Sequence, residues 1–192
     1  MRDKIKDILL ENIRIKEEML RTATSQIMGI ANLTTECLKN NGKVILFGNG
    51  GSAGDSQHIA AELMGRFKKE RPGLAAIALT TNTSILTAIA NDYGYEAVFS
   101  RQIEALGRKN DLAIGISTSG KAKNVALAIK QAAKMGLKTA VLTGAGGIEL
   151  AKLADVALVV PSSSTARIQE VHITVGHIIC EIAEDTLFQD LK

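Results

Sequence analysis

From residue 42 onward the sequence alternates short apolar runs with longer stretches of helical spacing, and that alternation restricts the fold more than any other feature. Val44-Ile45-Leu46-Phe47, Ala75–Leu79, Leu112–Ile116, Thr139–Leu142 and Val156–Val160 are strand candidates, apolar on both sides. Helical spacing fills the gaps, over 55–66, 84–91, 122–135 and 166–188. Strands buried on both faces and separated by helices predict an α/β protein with a doubly wound, five-stranded parallel sheet. Right-handed crossovers then put helices on both sides of it. Ahead of this pattern, residues 3–40 read as helix, with Ile5, Ile8, Leu9, Ile13, Ile27, Ile30, Leu33 and Leu38 at three-to-four spacing. Asn40-Asn41-Gly42 supplies the stop. With no strand among its helices, this segment is an N-terminal helical arm whose apolar face needs a cover, on the main domain or on another subunit. The 192 residues are expected to form one domain, an arm over 1–41 and an α/β core over 42–192.

Composition narrows the function classes. Aromatic residues are only 3% of the chain, so the stacking platforms used by sequence-tolerant nucleic-acid binders have few rings to draw on. The net charge of +3 is carried by basic residues scattered along helices, which reads as solvated faces and not as a nucleic-acid surface. No apolar stretch is long enough for a membrane span. The opening Met1-Arg2-Asp3-Lys4 carries an acid and no apolar core follows, so no signal peptide is expected. Cys37 and Cys180 sit in apolar helical patterns, and buried free thiols suit a reducing, cytoplasmic setting.

Polar, small-residue clusters follow each predicted strand, at the strand ends where open α/β sheets bind ligands. Gly48-Asn49-Gly50-Gly51-Ser52 comes first. Its glycines allow close backbone approach to an oxygen-rich ligand, and the helix behind presents free N–H groups. The run Gly48-x-Gly50-x-x-Ala53 loosely matches a dinucleotide fingerprint, but Thr80-Thr81 stand where that motif needs an acid. No Gly-Lys-Ser/Thr follows either, which excludes a Walker A loop, and Asn49 and Ser52 favour a hydroxylated ligand. The simpler reading is a plain strand-to-helix turn. Ser117-Thr118-Ser119-Gly120 places three hydroxyls between a strand and a helix, a phosphate cradle or, more simply, a helix cap.

The third constellation carries chemistry. His58 and Glu62 are four apart and share a helix face. Gln169 and His177 are eight apart on the last helix, which returns to within about 80° of one face. Imidazole, carboxylate and amide oxygen suit a divalent ion, zinc first. The alternative is a surface pair plus a core histidine. His172 reads as a structural histidine.

Taken together, GNGGSAGDSQHIAAEL (48–63), ANDYG (90–94), GISTSG (115–120) and RIQEVHITVGHII (167–179) resemble the phosphoheptose isomerases, a branch of the sugar isomerase (SIS) domain proteins. The resemblance covers almost the whole chain. It implies a flavodoxin-like SIS sheet and a homotetramer with active sites between subunits. It implies conversion of sedoheptulose 7-phosphate to D-glycero-D-manno-heptose 7-phosphate, the entry to nucleotide-activated heptose for bacterial surface polysaccharide. By motif, His58, Glu62, Gln169 and His177 match the zinc ligands, one ion per subunit, and Glu62 and His177 the acid–base pair. Asn49, Gly50, Gly51, Asn91, Asp92, Ser117, Thr118 and Ser119 match substrate contacts; Ser52 falls in the matching loop, and Glu62 and Gln169 also face the sugar. Two positions depart from the pattern. Ala122 stands where relatives often have a serine, removing one hydroxyl contact, and Ala166 where some carry an aspartate. The competing expectation is a non-catalytic SIS scaffold or sensor, such as a tetramer that binds the replication initiator. That relative lacks the metal-ligand set kept here. An SIS isomerase for a hexulose or pentose phosphate is the third.

Overall fold

A computed structural model describes residues 1–190. Five parallel strands, β1 (Val44–Gly48), β2 (Ala76–Ala78), β3 (Leu112–Ser117), β4 (Lys138–Gly144) and β5 (Val156–Val160), form a sheet in the order β2-β1-β3-β4-β5. The register runs Leu46 beside Ile114 and Ile114 beside Ala140. The expected doubly wound sheet is therefore present. Its order reverses between β1 and β3, and the strand ends there open a crevice.

Alternation along the strands explains why they are apolar throughout. Val44 and Leu46 point into one core layer, with α2 (Thr24–Lys39), α3 (Gly51–Met64) and α8 (Thr165–Leu187). Ile45 and Phe47 point into the other, with α5 (Ser100–Leu106) and α6 (Lys123–Lys134). Burial on both faces removes the polar side that a solvated strand would carry. The helices α4 (Thr83–Tyr93), α5 and the one-turn α7 (Ile148–Ala151) complete the outer layer, with a short 3-10 turn at Tyr95–Ala97.

The arm departs from a continuous helix over 3–40. It is two helices, α1 (Arg2–Thr22) and α2, broken at Ala23 with φ −124° and ψ 3°. Hydroxyls flank the break. Thr22 Oγ1 donates to the Glu18 carbonyl at 2.9 Å, and Thr24 Oγ1 to the Leu20 carbonyl at 2.8 Å. Such back-bonding competes with the helix ladder and bends it. The arm's apolar face is only partly covered by its own chain. Ile15 and Met19 are buried, but Ile5, Ile8, Leu9, Leu10, Ile13, Leu20 and Met28 stay exposed. A cavity of about 450 Å³ lined by Met19, Ile27, Met28, Val175 and Ile182 opens along the same face. None of the helices among the described residues is long and apolar enough to cross a membrane.

Candidate active site

The glycine-rich run folds more tightly than a loop over 48–54. Only Asn49 and Gly50 lie between β1 and α3, and Gly51 already opens the helix. Gly50 has φ +58°, a conformation that costs an L side chain energy but not glycine. The adjoining β3–α6 turn brings Ser117, Thr118 and Ser119 to the same place. Together with Asn49 and Ser52 they line a cavity of about 300 Å³. The hydroxyls do not cap α6, whose N-cap position is Ala122 with no side-chain cap bond. Ser119 Oγ accepts from the Lys121 N–H at 3.2 Å and can still donate to a ligand, and the Ser117 and Thr118 hydroxyls have no partner among the described residues. Asn49 is fixed by its neighbours, exchanging amide hydrogen bonds with Asn124 at 2.9 and 3.0 Å and accepting from the Tyr95 hydroxyl at 3.0 Å.

The second part of the site lies farther along α3. His58 Nε2 stands 3.1 Å from Glu62 Oε1 and 3.0 Å from His177 Nε2. One ligand atom from each of the three lies within 4.8 Å of the others. Two ring nitrogens this close share either a proton or a cation. Two imidazoles with a carboxylate are donors that suit a divalent transition-metal ion, and His58 and Glu62 are open enough for one to enter. These three residues therefore form a site able to hold a metal. Phe67 lies beside the His177 ring, centroids 5.6 Å apart.

Helix packing explains how residues 119 apart in sequence meet. Three contacts pair α3 with α8 in the same sense: Gly51 with Gln169, Ile59 with Gly176, and His58 with His177. The two helices run parallel and in step. A Cβ on Gly176 would come within 2.7 Å of Ile59 Cδ1, so glycine permits the close approach that brings the imidazoles together.

The same register separates Gln169 from the other candidate ligands. Eight residues of helix advance about 12 Å, so Gln169 and His177 of one chain lie at different levels. The Gln169 amide packs against Gly51 beside the hydroxyl-lined cavity, where a Cβ on Gly51 would collide with it. Asn91 and Asp92 are exposed near the end of α4, where the Asn91 amide donates to the Asp92 carboxylate at 2.9 Å. Neither lines the cavity. His172 is fully buried, with Nε2 3.3 Å from the Thr143 carbonyl, and burial pushes its pKa down to about 4. It is the structural histidine expected.

Two neighbours of the triad are not among the candidate site residues read from the sequence. Asp55, one turn before His58, has a buried Oδ2 without a hydrogen-bond partner among the described residues. Burial raises its pKa, against the lowering influence of His58. Glu184, 1% exposed, accepts from the backbone amides of Phe67, Lys68 and Lys69 and from Arg71 Nε. Arg71 in turn donates to the Glu62 carbonyl at 2.9 Å and the Leu63 carbonyl at 2.9 Å, closing the C-terminal end of α3.

Comparison with known proteins places this geometry. The family model described as SIS domain matches residues 10–144. A phosphoheptose isomerase of Thermodesulfovibrio yellowstonii is 51% identical over 187 residues, 97% of this chain and 93% of that protein. One from Roseiflexus sp. is 54% identical over 184 residues, 96% of this chain and 93% of that protein. The solved phosphoheptose isomerase of Neisseria gonorrhoeae superposes with a TM-score of 0.90 at 44% identity, covering 96% of this chain and 98% of that one. Agreement of sequence and backbone over nearly the full length of both partners makes this chain a member of the phosphoheptose isomerases, within the SIS domain family.

Proposed function

We propose that this chain isomerises sedoheptulose 7-phosphate to D-glycero-D-manno-heptose 7-phosphate through a cis-enediol, the entry step to nucleotide-activated heptose. The meeting of His58, Glu62 and His177 at an open face, in a member of this family, carries the proposal. The reaction moves a proton from C1 to C2 and the carbonyl from C2 to C1, so it needs a base near both carbons and proton traffic between two oxygens. Glu62 is the base. It meets His58 through Oε1, leaving Oε2 to take the carbon proton. His177 opens the sugar ring and protonates the oxygens. Zinc, one per subunit and held by His58, Glu62 and His177, would supply Lewis-acid polarisation of the carbonyl.

The phosphate end binds in the cavity of Ser117, Thr118, Ser119 and Ser52, with Asn49, Gly50 and Gly51 beside it. Ser52 and His58 are six residues apart on α3, about 9 Å of rise. An open-chain seven-carbon phosphate reaches that far. Gln169, packed against Gly51 beside that cavity, faces the sugar, while Asn91 and Asp92 enter the site from neighbouring copies of the chain, in a homotetramer with active sites between subunits. The uncovered arm supports that assembly, and the buried free thiols support a cytoplasmic location. The experiment is turnover of sedoheptulose 7-phosphate by purified protein, before and after chelation, with zinc added back. Activity that falls on chelation and returns with zinc is expected. No turnover by folded, zinc-loaded protein would overturn the proposal in favour of a non-catalytic sensor or scaffold.

A further inference from the structure

The hydroxyl-lined cavity is walled by Lys121 and Ala122 as well as by the serines and threonine already described. A second opening of about 370 Å³ adjoins it, lined by Tyr95, Glu96 and Lys123 and sharing Asn49, Lys121 and Ala122. Lys121 therefore stands on the partition between the two. Among the described residues, lysine and arginine contribute only this one residue to the first cavity, and no acid lines it.

The neighbouring charges are committed elsewhere. Lys123 Nζ is paired with Glu96 at 2.9 Å, and Asn124 is held by Asn49. Lys121 forms no ion pair among the described residues. Its backbone is fixed, however, because its N–H donates to Ser119 Oγ at 3.2 Å. The residue is thus anchored at the hydroxyl cluster while its ammonium remains available. Beside it, the methyl of Ala122 offers no hydrogen bond, and the start of α6 has no side-chain cap.

We propose that Lys121 contacts the substrate phosphate directly, supplying with an ammonium the contact that a hydroxyl at position 122 would otherwise make. This rests on the phosphate end of the sugar occupying the cavity as described above. Exchanging a neutral hydroxyl for a mobile cation changes how the site recognises its ligand. A hydroxyl contact is nearly indifferent to salt. A solvent-open ammonium–phosphate contact is screened, with a Debye length that shortens from about 30 Å at 0.01 M to about 8 Å at 0.15 M ionic strength. Charge-assisted contacts are also the stronger kind. Affinity for the phosphate end in this protein should therefore depend on ionic strength through one residue.

The test compares Lys121→Gln with Lys134→Gln, which removes the same charge at the exposed far end of α6. Two readouts are taken at low and physiological salt: KM for sedoheptulose 7-phosphate and the Kd of inorganic phosphate, the latter by calorimetry. Lys121→Gln should raise both by about tenfold at low salt, the effect of losing one charge-assisted contact. It should flatten their salt dependence, and KM should move more than kcat. Lys134→Gln should reproduce the wild-type curves. Adding Ala122→Ser to Lys121→Gln should recover affinity without recovering the salt dependence. Unchanged KM, Kd and salt slope in Lys121→Gln would overturn the assignment while leaving the isomerase reading intact. Should the wild-type protein turn over no heptose phosphate, phosphate binding still decides the role of Lys121 independently.

Discussion

Glu184→Gln should convert a stability reserve of this fold into a liability, and the size follows from the structure. The carboxylate is almost wholly buried and accepts from three backbone amides at 2.7–3.1 Å and from Arg71 Nε at 2.7 Å. Burial alone would oppose its charge. The amides of Lys69, Lys68 and Phe67 and the Arg71 guanidinium outweigh burial and hold the pKa down at about 2, from an ordinary 4.5. A gap of this size corresponds to about 3 kcal/mol of folding free energy. Because the folded value is the lower one, the contribution is complete above the unfolded pKa and is lost as pH falls through the window down to about 2. Glutamine has one acceptor oxygen where several donors converge, and its own NH₂ faces them. It also leaves Arg71 buried without a counter-charge, a change that costs about 3–5 kcal/mol. Urea unfolding at fixed protomer concentration measures both effects. The variant should be less stable at neutral pH by that amount and should lack the wild-type loss below the ordinary carboxylate range. A variant within about 0.5 kcal/mol of wild type, or one with the same acid slope, would refute the reasoning.

Three further outcomes are expected. Glu62→Gln should fold and bind sugar phosphate while turnover falls by about 100-fold or more, as loss of a general base requires; near-normal turnover in a steady-state assay would remove Glu62 from the base role. His172→Gln should flatten the stability–pH profile between the unfolded histidine value of 6.5 and about 4. Burial disfavours the imidazolium in the fold, so neutral His172 contributes fully above that window and loses its contribution as pH falls through it, measurable by the same unfolding series. Cys37 and Cys180 are buried with pKa values pushed up to about 12, so a thiol reagent at neutral pH should label them only after denaturation.

Much of the fold was legible because its signals are long and redundant. Each strand candidate overlaps an observed strand, since burial on both faces leaves an unbroken apolar run. Tyr95–Ala97, α5 and α7 were not anticipated, being too short for helical periodicity to accumulate. The pairing of His58 with Glu62 is written in their four-residue spacing, whereas their meeting with His177 depends on Gly176 and the parallel packing of two helices far apart in sequence. Gln169 shows what azimuth alone omits: eight residues nearly restore the face but also advance two turns. Asp55 and the Arg71–Glu184 pair were unreadable for a different reason. A carboxylate that serves as a hydrogen-bond hub looks, in sequence, like any solvated helix charge.

The pairing of α2 with α8 also shapes how the protein is made. Residues Thr24–Lys39 leave the ribosome long before the helix they pack on, Thr165–Leu187. Until α8 is made the arm is covered only in part, by the strands that α2 also meets, and the α2–α8 contact joins residues more than 120 apart in sequence. Non-local closure of this kind slows folding and prolongs exposure of apolar surface. Apolar surface on the nascent arm is thus open to a chaperone until α8 arrives, and a truncation before Thr165 would leave α2 covered by the strands and α1 alone.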